Sequence, residues 1–226
     1  MSPPALAALI GRTFDAVLFD LDGTLLDSTP AVRRSWDRWA RERGLRALPL
    51  EVPHGVPARQ VLALLVPEAE IEAAFARIEA IEVEEIVGIT VLPGAVEALA
   101  ALPADRVAIV TSGTPPLARA RIAATGLPAP PLLITPDDVL RGKPDPAPYL
   151  LAAHRLGVDP RRCLAVEDAP AGLASARAAG CTTIALTTTH PAAEVHADVV
   201  LASLADLRLV FDGDVVRVHA AVGAAG

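Results

Sequence analysis

The sequence predicts an α/β protein: a parallel sheet with helices on both faces, plus an inserted helical cap. Two observations carry this. Short apolar runs recur at residues 16–19, 107–110, 132–134, 163–166, 183–186 and 199–201, each followed by a helical pattern. Runs apolar on both faces suit strands buried between two helical layers. The second observation is an anomalous connection, since about ninety residues separate the first run from the second where one crossover helix would do. Much of that insert is itself helical. Ser28 or Thr29 can cap a helix with Pro30 at its first position and Val32, Trp36, Trp39 and Ala40 on its apolar stripe. A further helix from Glu68 places Ile71, Ala74, Phe75, Ile78 and Ile81 on one face. Residues 27–90 therefore read as a cap over the strand ends, with 1–26 and 91–226 as the core.

The core helices are punctuated in the same manner. Pro115 and Pro116 open one that Gly126 closes, a second runs from about Asp145 to Leu156 and stops at Gly157, and a third starts near Pro170 and ends at Gly180. Doubly wound sheets of this kind bind ligands at the carboxyl ends of their strands. No role is assigned to the segment after Phe211.

Composition narrows the partners. The 226 residues are 52% apolar but only 3% aromatic, and the formal charge is −7. Nucleic acid and anionic membrane both need a basic face, so neither is expected as a partner. Mean hydropathy is high at +0.42, yet no stretch approaches the roughly 18 apolar residues of a spanning helix. The first residues make a poor signal peptide, being short, without a preceding basic residue and soon followed by Asp15. Cys163 and Cys181 lack metal-ligand spacing and flank apolar runs, which favours buried thiols over a disulfide. A cytoplasmic monomer is the default expectation.

The chemistry concentrates at the strand ends. Phe19-Asp20-Leu21-Asp22-Gly23-Thr24 closes the first run. Carboxylates two residues apart leave a strand on the same side, and such a pair repels unless a cation or a shared proton stabilises it. Of the 20 basic residues one alone is lysine, Lys143, within Arg141-Gly142-Lys143-Pro144-Asp145. An ammonium is a compact charge suited to bridging a carboxylate and a phosphate oxygen. Glu167-Asp168 ends the fourth run, where it can cap the helix that follows or supply oxygens to a hard cation. Thr111-Ser112-Gly113-Thr114 ends the second run before another helix, a cradle of hydroxyls and N–H groups for an anion.

Taken together, these residues resemble the haloacid dehalogenase superfamily, in the order Asp20-Leu-Asp22-Gly-Thr24, Thr111, Lys143, Glu167-Asp168. The likeness spans about residues 14–205. Within it, residues 165–172, 141–145 and the His54-Gly55 pair are similar to bacterial sugar and hexitol phosphatases and to yeast-type glycerol- and deoxyglucose-phosphate phosphatases. The resemblance implies a Rossmann-like core, Mg²⁺ as cofactor and a small sugar or polyol phosphate as substrate. It implies that Asp20 attacks phosphorus, Asp22 acts as acid and base, and Lys143 neutralises charge. Asp20, the Asp22 carbonyl, Glu167 and Asp168 would hold the metal, while Thr111, Ser112 and Gly113 would hold the phosphate. Asp22 separates the chain from dehalogenases, which lack the second aspartate, and from P-type ATPases, which carry threonine there. Phosphonatases need a cap lysine, and the insert has none. A β-phosphoglucomutase-like mutase remains the alternative, because the loop from Gly55 to Arg59 lies where that enzyme has its substrate loop, with the basic residue shifted. A non-enzymatic phosphate-binding module is a distant third, since it would have lost Asp20, Asp22 or Lys143.

In the cap, His54 is either a contact to substrate hydroxyls or a turn residue, and Arg59 either recognises substrate or starts a solvated helix. Asp27 can reach substrate or cap the next helix. Trp36 and Trp39 fit a cap core better than a stacking platform.

Overall fold

The structure is a computed structural model and describes residues 4–45, 48 and 56–221. Strands β1 (Thr13–Phe14), β2 (Ala16–Phe19) and β3 (Leu26–Asp27) lead into helices α1 (Thr29–Glu42), α2 (Ala58–Leu62) and α3 (Ile71–Glu84), and the chain returns through β4 (Thr90–Val91). Then follow α4 (Ala95–Ala100), β5 (Val107–Val110), α5 (Pro115–Thr125), β6 (Leu133–Ile134), α6 (Ala147–Leu156), β7 (Cys163–Glu167), α7 (Pro170–Ala178), β8 (Thr182–Leu186) and β9 (Val199–Leu201). A hairpin of β10 (Leu207–Asp212) and β11 (Val215–Ala220) completes the described elements.

Six strands form the predicted parallel sheet, in the order β6-β5-β2-β7-β8-β9. Alternation along β2 divides its side chains between two cores. Val17 and Phe19 join Ile109, Leu164 and Val166 on one face, and Ala16 and Leu18 join Ala108, Val110 and Ala165 on the other. Helices α6 and α7 cover the second face through Tyr149, Ala152, Ala153 and Ala176. The first face is covered by α4 and α5 and by the hairpin, whose Leu207, Leu209, Val216 and Val218 point into the core. Strand β11 also pairs with β1, which makes a separate three-stranded antiparallel sheet.

The expected helices are present with small shifts at their starts. Helix α6 begins at Ala147, two residues after Asp145, whose carboxylate accepts the Ala147 N–H (3.0 Å). Gly126 and Gly157 terminate α5 and α6 in the left-handed conformation, at φ +65° and +70°. The helix expected from Glu68 starts as a 3-10 turn and becomes α3 at Ile71. The N-terminus of α1 is capped neither by Ser28 nor by Thr29: Asp27 Oδ1 accepts the Thr29 N–H (3.1 Å).

Strands β3 and β4 pair with each other, so the insert leaves and rejoins the core through one antiparallel ribbon. Its helices bury a core of their own around Trp36, Trp39, Leu62, Ile78 and Ile81. The indoles of Trp36 and Trp39 meet edge to face at 5.7 Å, and Trp39 is only 1% exposed. Truncating such a residue removes a large apolar area and leaves a cavity. Trp39→Ala should therefore destabilise the protein by about 3–5 kcal/mol in urea unfolding. A loss below about 1 kcal/mol would show that the helical cap does not depend on this indole.

Candidate active site

Strand β2 lies between β5 and β7, the place where the chain switches from building the sheet in one direction to building it in the other. Register aligns Phe19 with Ile109 and with Val166. Asp20, Thr111 and Glu167-Asp168 therefore emerge together from three adjacent strand ends. The Asp20 N–H still donates to Val166 O (3.0 Å), which fixes the carboxylate's base to the sheet.

Lys143 reaches the same point from the loop before α6. Its Nζ donates to Asp20 Oδ1 (2.6 Å), Glu167 Oε1 (2.5 Å) and Val110 O (2.8 Å), which uses all three of its protons. Tyr149, from the first turn of α6, donates its hydroxyl to the same Glu167 oxygen (2.7 Å). Asp168 does not cap α7, whose N-cap residue is Ala169. It accepts instead from Thr24 (3.4 Å) and from the Thr189 hydroxyl. Space here is tight. A Cβ at Gly172 would overlap the Glu167 carboxylate, and one at Gly23, whose φ is +92°, would overlap that of Asp168.

Burial and charge act together on these groups. Desolvation, then repulsion from Glu167, push the Asp20 carboxyl well above the ordinary aspartate range, against the pull of Lys143. The same two causes, in the same order, raise Asp168 to about 7. Burial alone would lower the Lys143 ammonium, but Asp20 and Glu167 outweigh it and hold it above the usual lysine value.

These groups open into a cleft of about 240 Å³ between the strand ends and the cap. Thr111, Ser112, Gly113 and Thr114 line one side, with the Gly113 N–H bound to Thr111 Oγ1 (2.9 Å). Val32, Trp36, Phe75 and Glu79 line the cap side. Arg59 sits at the cleft in α2, with its guanidinium 3.7 Å from the Phe75 ring centroid and paired with Glu72. His54 lies outside the described residues. The Asp22 carboxylate faces the cleft but turns away from the lysine: its Oδ2 pairs with Arg121 Nη1 of α5 (2.8 Å), and Arg121 Nη2 reaches Glu82 of α3 (3.3 Å). Sequence motifs did not point to Arg121, Glu82, Tyr149 or Thr189. The one signal for Arg121 is its place seven residues after Thr114, on the same face of α5.

The family model of haloacid dehalogenase-like hydrolases matches residues 14–180, which holds every strand end just described. The chain belongs to this family. It is 46% identical to hexitol phosphatase A of Escherichia coli K12, over 88% of this chain and 96% of that protein. It is 36% identical to glycerol-1-phosphate phosphohydrolase 2 of Saccharomyces cerevisiae, over 77% and 75% of the two chains. Among solved structures, a haloacid dehalogenase family hydrolase from Deinococcus radiodurans with bound phosphate and sodium superimposes with a TM-score of 0.63 at 34% identity, covering 85% of this chain and 92% of that one.

Hydrolases of this family generally use a divalent cation, and the residues here fit one. Asp20, Glu167 and Asp168 offer carboxylate oxygens that all lie within 4.8 Å of one another, and all three residues are buried. Opposite oxygens around an octahedral Mg²⁺ are separated by about 4.2 Å. Three buried carboxylates share one ammonium, so the cluster lacks positive charge, and hard oxygen donors are what a hard cation takes. The Asp22 carboxylate is not part of this cluster.

Glu82 provides a test by pH. Burial, opposed by the Arg121 cation and aided by Asp22 and Glu79, raises it to about 7 from an ordinary 4.5. The folded state thus holds this proton more tightly than the unfolded chain. Its stabilising contribution is complete below about pH 4.5 and is lost as pH rises through about 7. Between pH 5 and 8 the wild type should lose on the order of 2 kcal/mol of stability relative to Glu82→Gln. Parallel stability curves for the two proteins would contradict this.

Proposed function

We propose that this hydrolase is a Mg²⁺-dependent phosphatase of small sugar or polyol phosphates that works through an aspartyl-phosphate on Asp20. The observation that carries the proposal is the Lys143 ammonium bound to Asp20 at the cleft floor, with Asp22 two residues further along the same loop. The relatives named hexitol phosphatase and glycerol-1-phosphate phosphohydrolase support the substrate class. A cleft of about 240 Å³ suits a small metabolite. Glu79 and Asp137 at its wall can accept hydrogen bonds from substrate hydroxyls. No helix among the described residues is long and apolar enough to cross a membrane.

In this scheme an Asp20 oxygen forms a bond to phosphorus as the bond from phosphorus to the leaving oxygen breaks. Asp22 gives its proton to that leaving oxygen. In the second half Asp22 takes a proton from water, whose oxygen bonds to phosphorus and releases the Asp20 carboxylate. Lys143 orients Asp20 and offsets its charge. The hydroxyls of Thr111 and Ser112 and the Ser112 N–H, beside Gly113, hold the oxygens of the transferring phosphoryl group, and Arg59 faces the rest of the substrate; His54, outside the described residues, is a candidate contact from the sequence alone. Asp20, the Asp22 main-chain carbonyl and Asp168, with Glu167 through water, would hold Mg²⁺, which would supply the positive charge that lets a carboxylate approach a phosphate dianion. The β3–β4 ribbon supports a division into a cap of residues 27–90 and a core of 1–26 and 91–226.

Phosphate release from hexose, hexitol, pentose and glycerol phosphates is expected with Mg²⁺, and none with EDTA or in Asp20→Asn. Conversion of β-glucose 1-phosphate to glucose 6-phosphate without phosphate release would replace this scheme with a mutase. Lys143→Arg should cost at least about tenfold in kcat, because a planar fork cannot occupy a site built for three divergent protons. Full activity in that variant would show that lysine's geometry is not required. Gly172→Ala, which crowds Glu167, should raise the Mg²⁺ concentration for half-maximal activity by about tenfold. An unchanged Mg²⁺ requirement would remove Glu167 from the metal set.

A further inference from the structure

We propose that Arg121 is a positioning residue for Asp22: it grips that carboxylate from the core helix α5 and ties it to Glu82 on the cap helix α3. The inference rests on the proton-transfer role given to Asp22 above, and it concerns a residue outside every motif that suggested that role.

The geometry is specific. Arg121 has 4% of its surface exposed, and among the described residues it is the one arginine that is buried. Its two terminal nitrogens diverge, Nη1 to Asp22 Oδ2 (2.8 Å) and Nη2 to Glu82 Oε1 (3.3 Å). A planar guanidinium can span two carboxylates in this way, whereas an ammonium offers one point of charge. Asp22 Oδ2 is thereby occupied, while Oδ1 is buried without a hydrogen-bond partner among the described residues. One oxygen is held by Arg121, and no group among the described residues holds the other.

The placement makes a purely structural role a poor explanation. A buried ion pair contributes little net stability compared with apolar packing of the same volume. Leu117, one turn earlier on the same face of α5, shows that apolar packing is available here, since it also lines the cleft. Thr114, Leu117 and Arg121 form one stripe along α5 that faces the cleft, so the helix that begins at the phosphate cradle also carries the group that aims Asp22. The charged groups around the contact are Asp22 from the loop after β2 and Glu79 and Glu82 from α3. Because Glu82 belongs to the cap, Asp22 is fully held only when α3 lies against α5.

Leaving-group dependence separates this role from general disruption. An alkyl phosphate needs a proton delivered to its departing oxygen, whereas p-nitrophenyl phosphate expels a stable anion and does not. The value of kcat/KM reports steps up to phosphoenzyme formation, so it is blind to the later hydrolysis. Arg121→Met should lower kcat/KM for an alkyl phosphate that the wild type hydrolyses by about 100-fold. The same variant should lower kcat/KM for p-nitrophenyl phosphate by less than about threefold. Arg121→Lys and Glu82→Gln should show the same split at about tenfold, and they decide the matter should the methionine variant fail to fold. In an Asp22→Asn background, Arg121→Met should cost nothing further, because both changes remove one function. Equal losses on both substrates, or a further loss in the Asp22→Asn background, would overturn the assignment. Asp22→Asn alone is the control for the underlying scheme. If it shows no alkyl-over-aryl split, the acid role of Asp22 has failed; if it shows the split and the Arg121 and Glu82 variants do not, only the positioning role has.

Discussion

Three carboxylates and one ammonium are packed out of water at the ends of β2 and β7, and much of the molecule is arranged to make this tolerable. Buried charge is expensive unless paired, and like charges a few ångströms apart raise one another's affinity for protons. Asp20 and Asp168 both show this upward pressure. Lys143 relieves part of it by donating to two carboxylates and a main-chain carbonyl at once. Tyr149 adds a second donor to the Glu167 oxygen that Lys143 holds, and Thr24 and Thr189 donate to the two oxygens of Asp168. The deficit of positive charge that remains gives the site its appetite for a cation and for chemistry on an anion.

The parallel sheet supplies the means. Only a central strand flanked by two others in register can bring residues 20, 111 and 167 to one place, and the order β5-β2-β7 does so. Glycine completes the fit where side chains would intrude. Position 172 lies in the first turn of α7 directly over Glu167, and position 23 allows the catalytic loop to fold back against Asp168. The cap then contributes the apolar wall of the cleft and, through Glu82, a carboxyl group that meets Arg121 beside Asp22.

Much of this was legible in the sequence because the informative residues are local. Asp20 and Asp22 are two residues apart, Glu167 and Asp168 are adjacent, and Lys143 stands out as the only lysine. The apolar runs located the six sheet strands, since a strand buried on both faces has little choice but to be continuously apolar. Other features depend on contacts between distant segments. Arg121 and Glu82 are 39 residues apart and meet only because α3 packs on α5. Tyr149 looks like one more core residue of α6 until Glu167 is seen beside its hydroxyl. The hairpin after Leu207 alternates apolar and polar residues and turns at Gly213, a pattern unlike the runs that mark the rest of the sheet strands. Its half-exposed strands cover one face of the sheet, which is why their period differs. At the start of α1 the sequence left Asp27, Ser28 and Thr29 open as caps, and the structure selects the Asp27 carboxylate, which accepts the Thr29 N–H.

The ribbon of β3 and β4 has a consequence beyond holding two strands together. Because the outgoing and returning chains are hydrogen-bonded to each other, whatever lies between them is a loop whose ends are already joined. The entropy of closing a loop grows only with the logarithm of its length, at about 0.6 kcal/mol for each doubling. An insert of another size or fold exchanged at this point would leave the stability of the sheet below almost unaltered. Protein architecture of this kind separates two evolutionary problems: the reaction centre is inherited with the strands, and selectivity can be rewritten by replacing what hangs from the ribbon.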